Sequence, residues 1–365
     1  MSNKLKELFP MIEERNEILH KINSSANLSK IFGSWKTVQQ EEFLNFCSGE
    51  KGVKILYDSF FKEIFNPEYS PERLSTLLSL LIGEKVTIIE VLPNDSTRIG
   101  MESSLLITDI TVKLANRELA NIEIQKIGYM FPGERAACYS ADLLLRQYKQ
   151  ARNEHTEHFS YKSIKNVYTI VIFEKSPTEF HSMPDKYIHK FRQSSDTGLE
   201  MELLQKYIFV SIDNFKNIHK NKDIDIETEL DAWLAFLSFD EPEMIAKLIK
   251  FYPEFTSMYK DIYNLCKNTE RVIGMFSEEL KILDKNTVQY MIDYMQDEIN
   301  AKNKKLEELT NSMAIKDLQF ADTLAEKESQ FADTLAKKES QFADTLAKQQ
   351  AEIEQLKAQL AKNTP

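Results

Sequence analysis

The chain has 365 residues, 42% of them hydrophobic and 10% aromatic, which is ample for one large globular domain with appendages or for two domains. Its three cysteines, Cys47, Cys138 and Cys266, are odd in number and scattered, which excludes a disulfide framework or a zinc finger and fits a reducing compartment. The net charge of −11 is unevenly spread, with −9 carried by residues 221–300 and only −1 by residues 1–220, so a basic groove in the N-terminal part is not excluded.

The start, MSNKLKELFPMIEERNE, carries charges throughout and lacks the apolar stretch of a signal peptide. The most apolar run, LSTLLSLLIG at 74–83, is far shorter than the roughly 20 residues a bilayer span needs. A cytoplasmic protein without membrane contact is therefore expected. Residues 1–50 read as an amphipathic helical region. VKILYDSFFKEIF at 53–65 has helical spacing, with Asp58 and Lys62 one turn apart. NPEYSPE interrupts it, and RLSTLLSLLIG forms a second helix that stops at Gly83. VTIIEVLP at 86–93 reads as a strand ended by proline. SSLLITDITVKL at 103–114 and ELANIEIQK at 118–126 read as a hairpin turned at ANRE. A loop from Gly128 to Gly133 leads into the amphipathic helix GERAACYSADLLLRQYKQARNE. NVYTIVIFEK at 166–175 is the clearest buried strand, and KYIFVSIDNF at 206–215 is read as another. Residues 224–300 are helical, acidic and rich in Met and Tyr.

The tail changes character. QFADTLAEKES, QFADTLAKKES and QFADTLAKQQA are tandem copies of an 11-residue unit, starting at Gln319, Gln330 and Gln341. Phe320, Leu324, Phe331, Leu335, Phe342 and Leu346 fall on one stripe, because eleven residues close three helical turns. Leu306, Leu309 and Met313 continue it upstream, and Ile353, Leu356 and Leu360 downstream. A coiled coil and a homo-oligomer are expected, since a lone helix would leave this stripe in water.

The chemistry concentrates in the hairpin. Strand side chains alternate faces, so Glu123 and Gln125 point one way, and Ile122 and Ile124 the other. Asp109 stands opposite the face shared by Ile110 and Val112. Two carboxylates and an amide on one face suit a divalent cation; the competing reading is the solvated face of an antiparallel hairpin. Lys126 follows Gln125, and strand alternation turns it to the opposite face. Arg135, at the start of the long helix, and Lys62 and Gln147 are candidates for substrate phosphate. His155 and His158 in NEHTEH have no second pair at ligand spacing, and no glycine-rich phosphate loop or G-x-S-x-G occurs.

The order D-x-F-F-K-x-I-F, then a strand aspartate, then I-E-I-Q, then G-E-R-A-x-x-Y-x-A-D-L-L-x-R-Q-Y resembles the PD-(D/E)XK nuclease family transposases, which are similar to the recombination-promoting nucleases. The resemblance runs from about Tyr57 to Lys175 and, more loosely, through KYIHKF, FVSIDNF and the segment Trp233–Phe239. It implies a restriction-endonuclease-like α/β fold, an αβββαβ core with a mixed sheet, followed by a helical region and a C-terminal coiled coil. It also implies that Asp109 takes the place of the motif aspartate, Glu123 the central acid and Gln125 the position of the motif lysine, with Asp58 as the acid of the first core helix. Thr108 stands where the motif name has proline. The resemblance implies Mg²⁺ (or Mn²⁺) held by Asp109, Glu123 and Asp58, and DNA as substrate, with RNA left open. The alternative is a catalytically degenerate nuclease fold serving as an oligomeric scaffold. The expected segments are a helical region at 1–50, a nuclease-like core at 51–220, an acidic helical region at 221–300 and a coiled coil at 301–362.

Overall fold

The computed structural model describes residues 3–92, 110–126, 132–154, 159–220 and 226–362. Asp109, Thr108, His155 and His158 lie outside the described residues. The chain divides into two compact units, Met1–Asp293 and Tyr294–Pro365.

The first unit opens with four helices, α1 (Lys4–Leu8), α2 (Arg15–Asn23), α3 (Ala26–Ser34) and α4 (Thr37–Cys47), in keeping with the helical reading of this region. Helix α5 (Asp58–Ile64) is shorter than the apolar spacing of 53–65 suggests. Helix α6 (Pro71–Ile82) begins with a proline at its first position, where the missing N–H costs nothing, and ends at Gly83 with φ of +96°. Strands β1 (Ile88–Leu92), β2 (Ile110–Leu114) and β3 (Leu119–Gln125) follow, then helix α7 (Pro132–Glu154) and strand β4 (Val167–Phe173). Two further strands, β5 (Ile188–Phe191) and β6 (Gln205–Ser211), complete a six-stranded sheet in the order β1-β2-β3-β4-β6-β5. The sheet is mixed: β2 runs antiparallel to both its neighbours, β1 and β3; β3, β4 and β6 are parallel, and β5 returns antiparallel at the edge.

One expected strand is half helix. KYIFVSIDNF is strand only to Ser211, and Ile212 opens helix α8 (Ile212–Lys220). Asp213, in the first turn, accepts from the backbone N–H groups of Ser176 and Asn214, and an acid there favours a helix start. The short edge strand β5 falls within KYIHKF, where burial is modest and does not alternate along the strand. Helices α9 (Glu229–Ser238), α10 (Pro242–Phe251), α11 (Phe255–Cys266) and α12 (Thr269–Lys362) follow.

A single apolar cluster joins the N-terminal helices to the sheet and to the later helices, through Phe43, Phe60, Ile122, Phe236 and Phe276. The first turns of α12 belong to it: Phe276 meets Trp35 at 5.1 Å, Phe46 at 5.5 Å and Tyr57 at 5.8 Å between ring centroids. The second unit holds the three repeats in continuous helix, with the same bond from Thr323, Thr334 and Thr345 to the carbonyl four residues earlier, 2.7 Å in each copy. Its stripe is exposed, Phe320, Phe331 and Phe342 by about 70%. Among the described residues no helix is long and apolar enough to cross a membrane.

Candidate active site

Strand β3 is central in the sheet and buried along its whole length. Its two faces differ in chemistry. Ala120, Ile122 and Ile124 enter the main core with Ile110 and Val112 of β2. The alternate positions start with Leu119, which meets Leu143 of α7, and continue through Asn121, Glu123 and Gln125. Glu123 is 5% exposed and Gln125 2%. The hairpin register pairs Ile110 with Ile122 and Thr111 with Asn121. The turn at Ala115–Glu118 holds Arg117 at φ of +70°.

Glu123 and Gln125 are joined directly: the Gln125 Nε2 amide donates to Glu123 Oε1. That bond turns the amide carbonyl, Gln125 Oε1, away from the carboxylate, and this buried oxygen has no hydrogen-bond partner among the described residues. A carboxylate and an unengaged amide oxygen side by side in a buried strand form a hard, oxygen-donor surface.

Asp58 opens α5, where its carboxylate pairs with Lys62 at 2.9 Å. Its backbone N–H donates to Glu279 Oε2 at 2.8 Å. Glu279 lies in α12, is fully buried and reaches Lys126 Nζ through its other oxygen at 3.3 Å. Lys126 is 5% exposed, meets Glu174 at 3.4 Å and stands 3.6 Å above the centre of the Tyr57 ring. Its side chain thus takes the face opposite Gln125, as strand alternation requires. Burial pushes the Lys126 ammonium below the usual lysine value despite Glu174 and Glu279, and pushes the Glu279 carboxyl above the usual range despite Lys126 and the Asp58 amide.

The candidate phosphate ligands separate. Gln147 is 3% exposed and donates to the Arg117 carbonyl at 2.8 Å, so it ties α7 to the hairpin turn. Lys62 is engaged with Asp58. Arg135 is half-buried in the first turns of α7. Among the described residues no group of three or more His, Cys, Asp or Glu side chains is gathered to hold a metal.

The profile described as PD-(D/E)XK nuclease family transposase matches residues 55–294. The chain belongs to this family. No curated protein and no solved structure matches it. The span shared with the PD-(D/E)XK nuclease family transposases includes every residue named above, and it ends beside the boundary between the two compact units. The partners of two of those residues were out of reach of sequence reasoning. Glu279 sits in a long polar helix among many other glutamates, 221 residues from the N–H it accepts. Lys126 was visible beside Gln125, yet its burial between two carboxylates depends on one partner that follows β4 and one in α12.

Proposed function

We propose that the protein is a metal-dependent DNA endonuclease, with Asp109 and Glu123 as metal ligands, Gln125 orienting the attacking water and Asp58 as a further acid. The observation that carries this reading is the buried Glu123–Gln125 pair, at the E-x-Q position of a strand inside the family span. The residues suit Mg²⁺ or Mn²⁺, since Glu123 is a buried carboxylate, and the Gln125 amide oxygen beside it has no hydrogen-bond partner among the described residues and is left to hold a water. A bound cation of this kind lowers the pKa of water and offsets charge on the scissile phosphate. Gln125 cannot supply the charge of a lysine, and its part is to donate or accept hydrogen bonds. Its bond to Glu123 holds that carboxylate in one orientation. Arg135 is the candidate phosphate contact.

The tail supports an oligomer built through a coiled coil, because three copies of one stripe are exposed; two joined sites would let both strands of a duplex be cut in one encounter. A role in recombination or mobile-element biology follows the family description alone. The scaffold reading draws on one observation, that the Asp58 carboxylate is bound to Lys62.

Supercoiled plasmid incubated with the purified chain and Mg²⁺ or Mn²⁺ decides between the two. Nicked or linear product that vanishes with chelator and in Asp109→Ala supports the nuclease. No product from plasmid or from a structured RNA in either metal supports the scaffold.

A further inference from the structure

Gln125 and Asp58 come from separate elements, and one buried contact lies behind both. The carboxylate of Glu279 divides its two oxygens between them: one accepts the N–H of Asp58 itself, and the other meets Lys126, the residue after Gln125. Isolated buried charges are costly, and a buried ion pair seldom stabilises a fold more than apolar side chains of the same size would. Its placement therefore needs another account.

We propose that Glu279 and Lys126 are the positioning residues of the candidate site, fixing the end of β3 and the start of α5 relative to each other; this rests on Glu123 and Gln125 being that site. Lys126 is held on three sides, by Glu174, Glu279 and the Tyr57 ring, so the peptide that links it to Gln125 has little freedom. The Gln125 carbonyl is tied as well, accepting from the Glu174 N–H at 2.8 Å. Glu279 in turn is set in place by Phe276, one turn earlier, which is wedged among Trp35, Phe46 and Tyr57. The start of α12 thus takes part in building the site. A catalytic core ending near residue 220 would lack the carboxylate that holds β3 and α5 together.

The test uses the full chain and three variants, read by hydrogen exchange and by cleavage. Glu279→Gln removes one of the two counter-charges of Lys126, leaving Glu174, but keeps an acceptor for the Asp58 N–H. Glu279→Leu removes that charge and the acceptor, and Lys126→Met leaves the glutamate alone. Faster amide exchange is expected at 119–125 in all three, and at 58–64 in Glu279→Leu only, with α9 and α10 unchanged. Cleavage should lose about 10- to 100-fold in kcat, the range for residues that orient metal ligands, with KM for DNA unchanged. Lys126→Arg should recover most of it. Faster exchange throughout residues 3–293, unchanged exchange at 119–125, or a higher KM with kcat intact overturns the proposal. If Glu279→Leu does not fold, Glu279→Gln and Lys126→Met decide. If the wild type does not cleave, the nuclease reading fails by itself, and the exchange pattern alone decides whether the pair holds both segments.

Discussion

Helix α12 carries two opposite oddities. Near its start a glutamate is wholly buried; further along, in the second unit, phenylalanines at 320, 331 and 342 are about 70% exposed. Both are misplaced by the rule that puts apolar groups inside and charges outside. The glutamate has its partners within the chain, a lysine and a backbone N–H. The phenylalanines repeat at a spacing that suits a second helix. Periodicity shows that a face needs covering; it does not show whether the cover comes from the same chain.

The comparison breaks most sharply at its buried end. Glu279→Ala leaves Lys126 in the interior without its nearer counter-charge and should cost about 3–5 kcal/mol of stability, measured by chemical denaturation. Phe331→Ala, in the exposed stripe, should leave that unfolding curve unchanged. Next in size is chemistry: Glu123→Ala or Asp109→Ala should reduce Mg²⁺-dependent cleavage by at least about 10³-fold, more than the loss of one positioned donor. Gln125→Ala should lose about 10- to 100-fold in single-turnover cleavage, while Gln125→Lys should keep or raise the rate by adding charge where negative charge develops. Wild-type rates from Asp109→Ala would assign any activity to another site or a contaminant.

At the exposed end, deleting residues 301–365 should lower the oligomeric mass seen by light scattering and leave the melting of the first unit unaltered. The smallest effect concerns Asp213. Burial pushes its carboxyl up, but bonds from His181, Ser176 and Asn214 outweigh this and hold it below the usual range. A depressed folded value means stability that is present above the unfolded value of about 3.9 and is lost as pH falls through the lower folded one. Asp213→Asn should therefore lower stability modestly at pH 7, flatten the acid limb of the stability profile and do little at pH values below the folded value, as denaturation at a series of pH values would show.

How much of this was legible follows from the range of the forces involved. Strand β3 and its two faces could be read from alternation, because both depend on neighbours two residues away. Helix α7 and the stop at Gly83 were equally local. The end of β6 was not, since the first turn of α8 is favoured by Asp213 accepting from Ser176, in the segment that follows the neighbouring strand β4. Strand β5 was missed because an edge strand with exposed Lys190 and Phe191 leaves little alternation to read. Within the site, the E-x-Q pair was visible; the spending of Gln147 on the Arg117 carbonyl and the reach of Glu279 were not. Each depends on contacts separated by 30 residues or more, which spacing along the chain does not encode.

The tandem units have a consequence for how the tail can change in length. Gain or loss of one whole copy alters it by about 16.5 Å, at 1.5 Å per residue, and brings everything downstream back to nearly the same azimuth. Loss of a single residue would instead swing all later positions by about 100° and scatter the stripe around the helix. The tail can therefore be lengthened or shortened like a ruler cut only at its marks, each step preserving the face that the next helix would read.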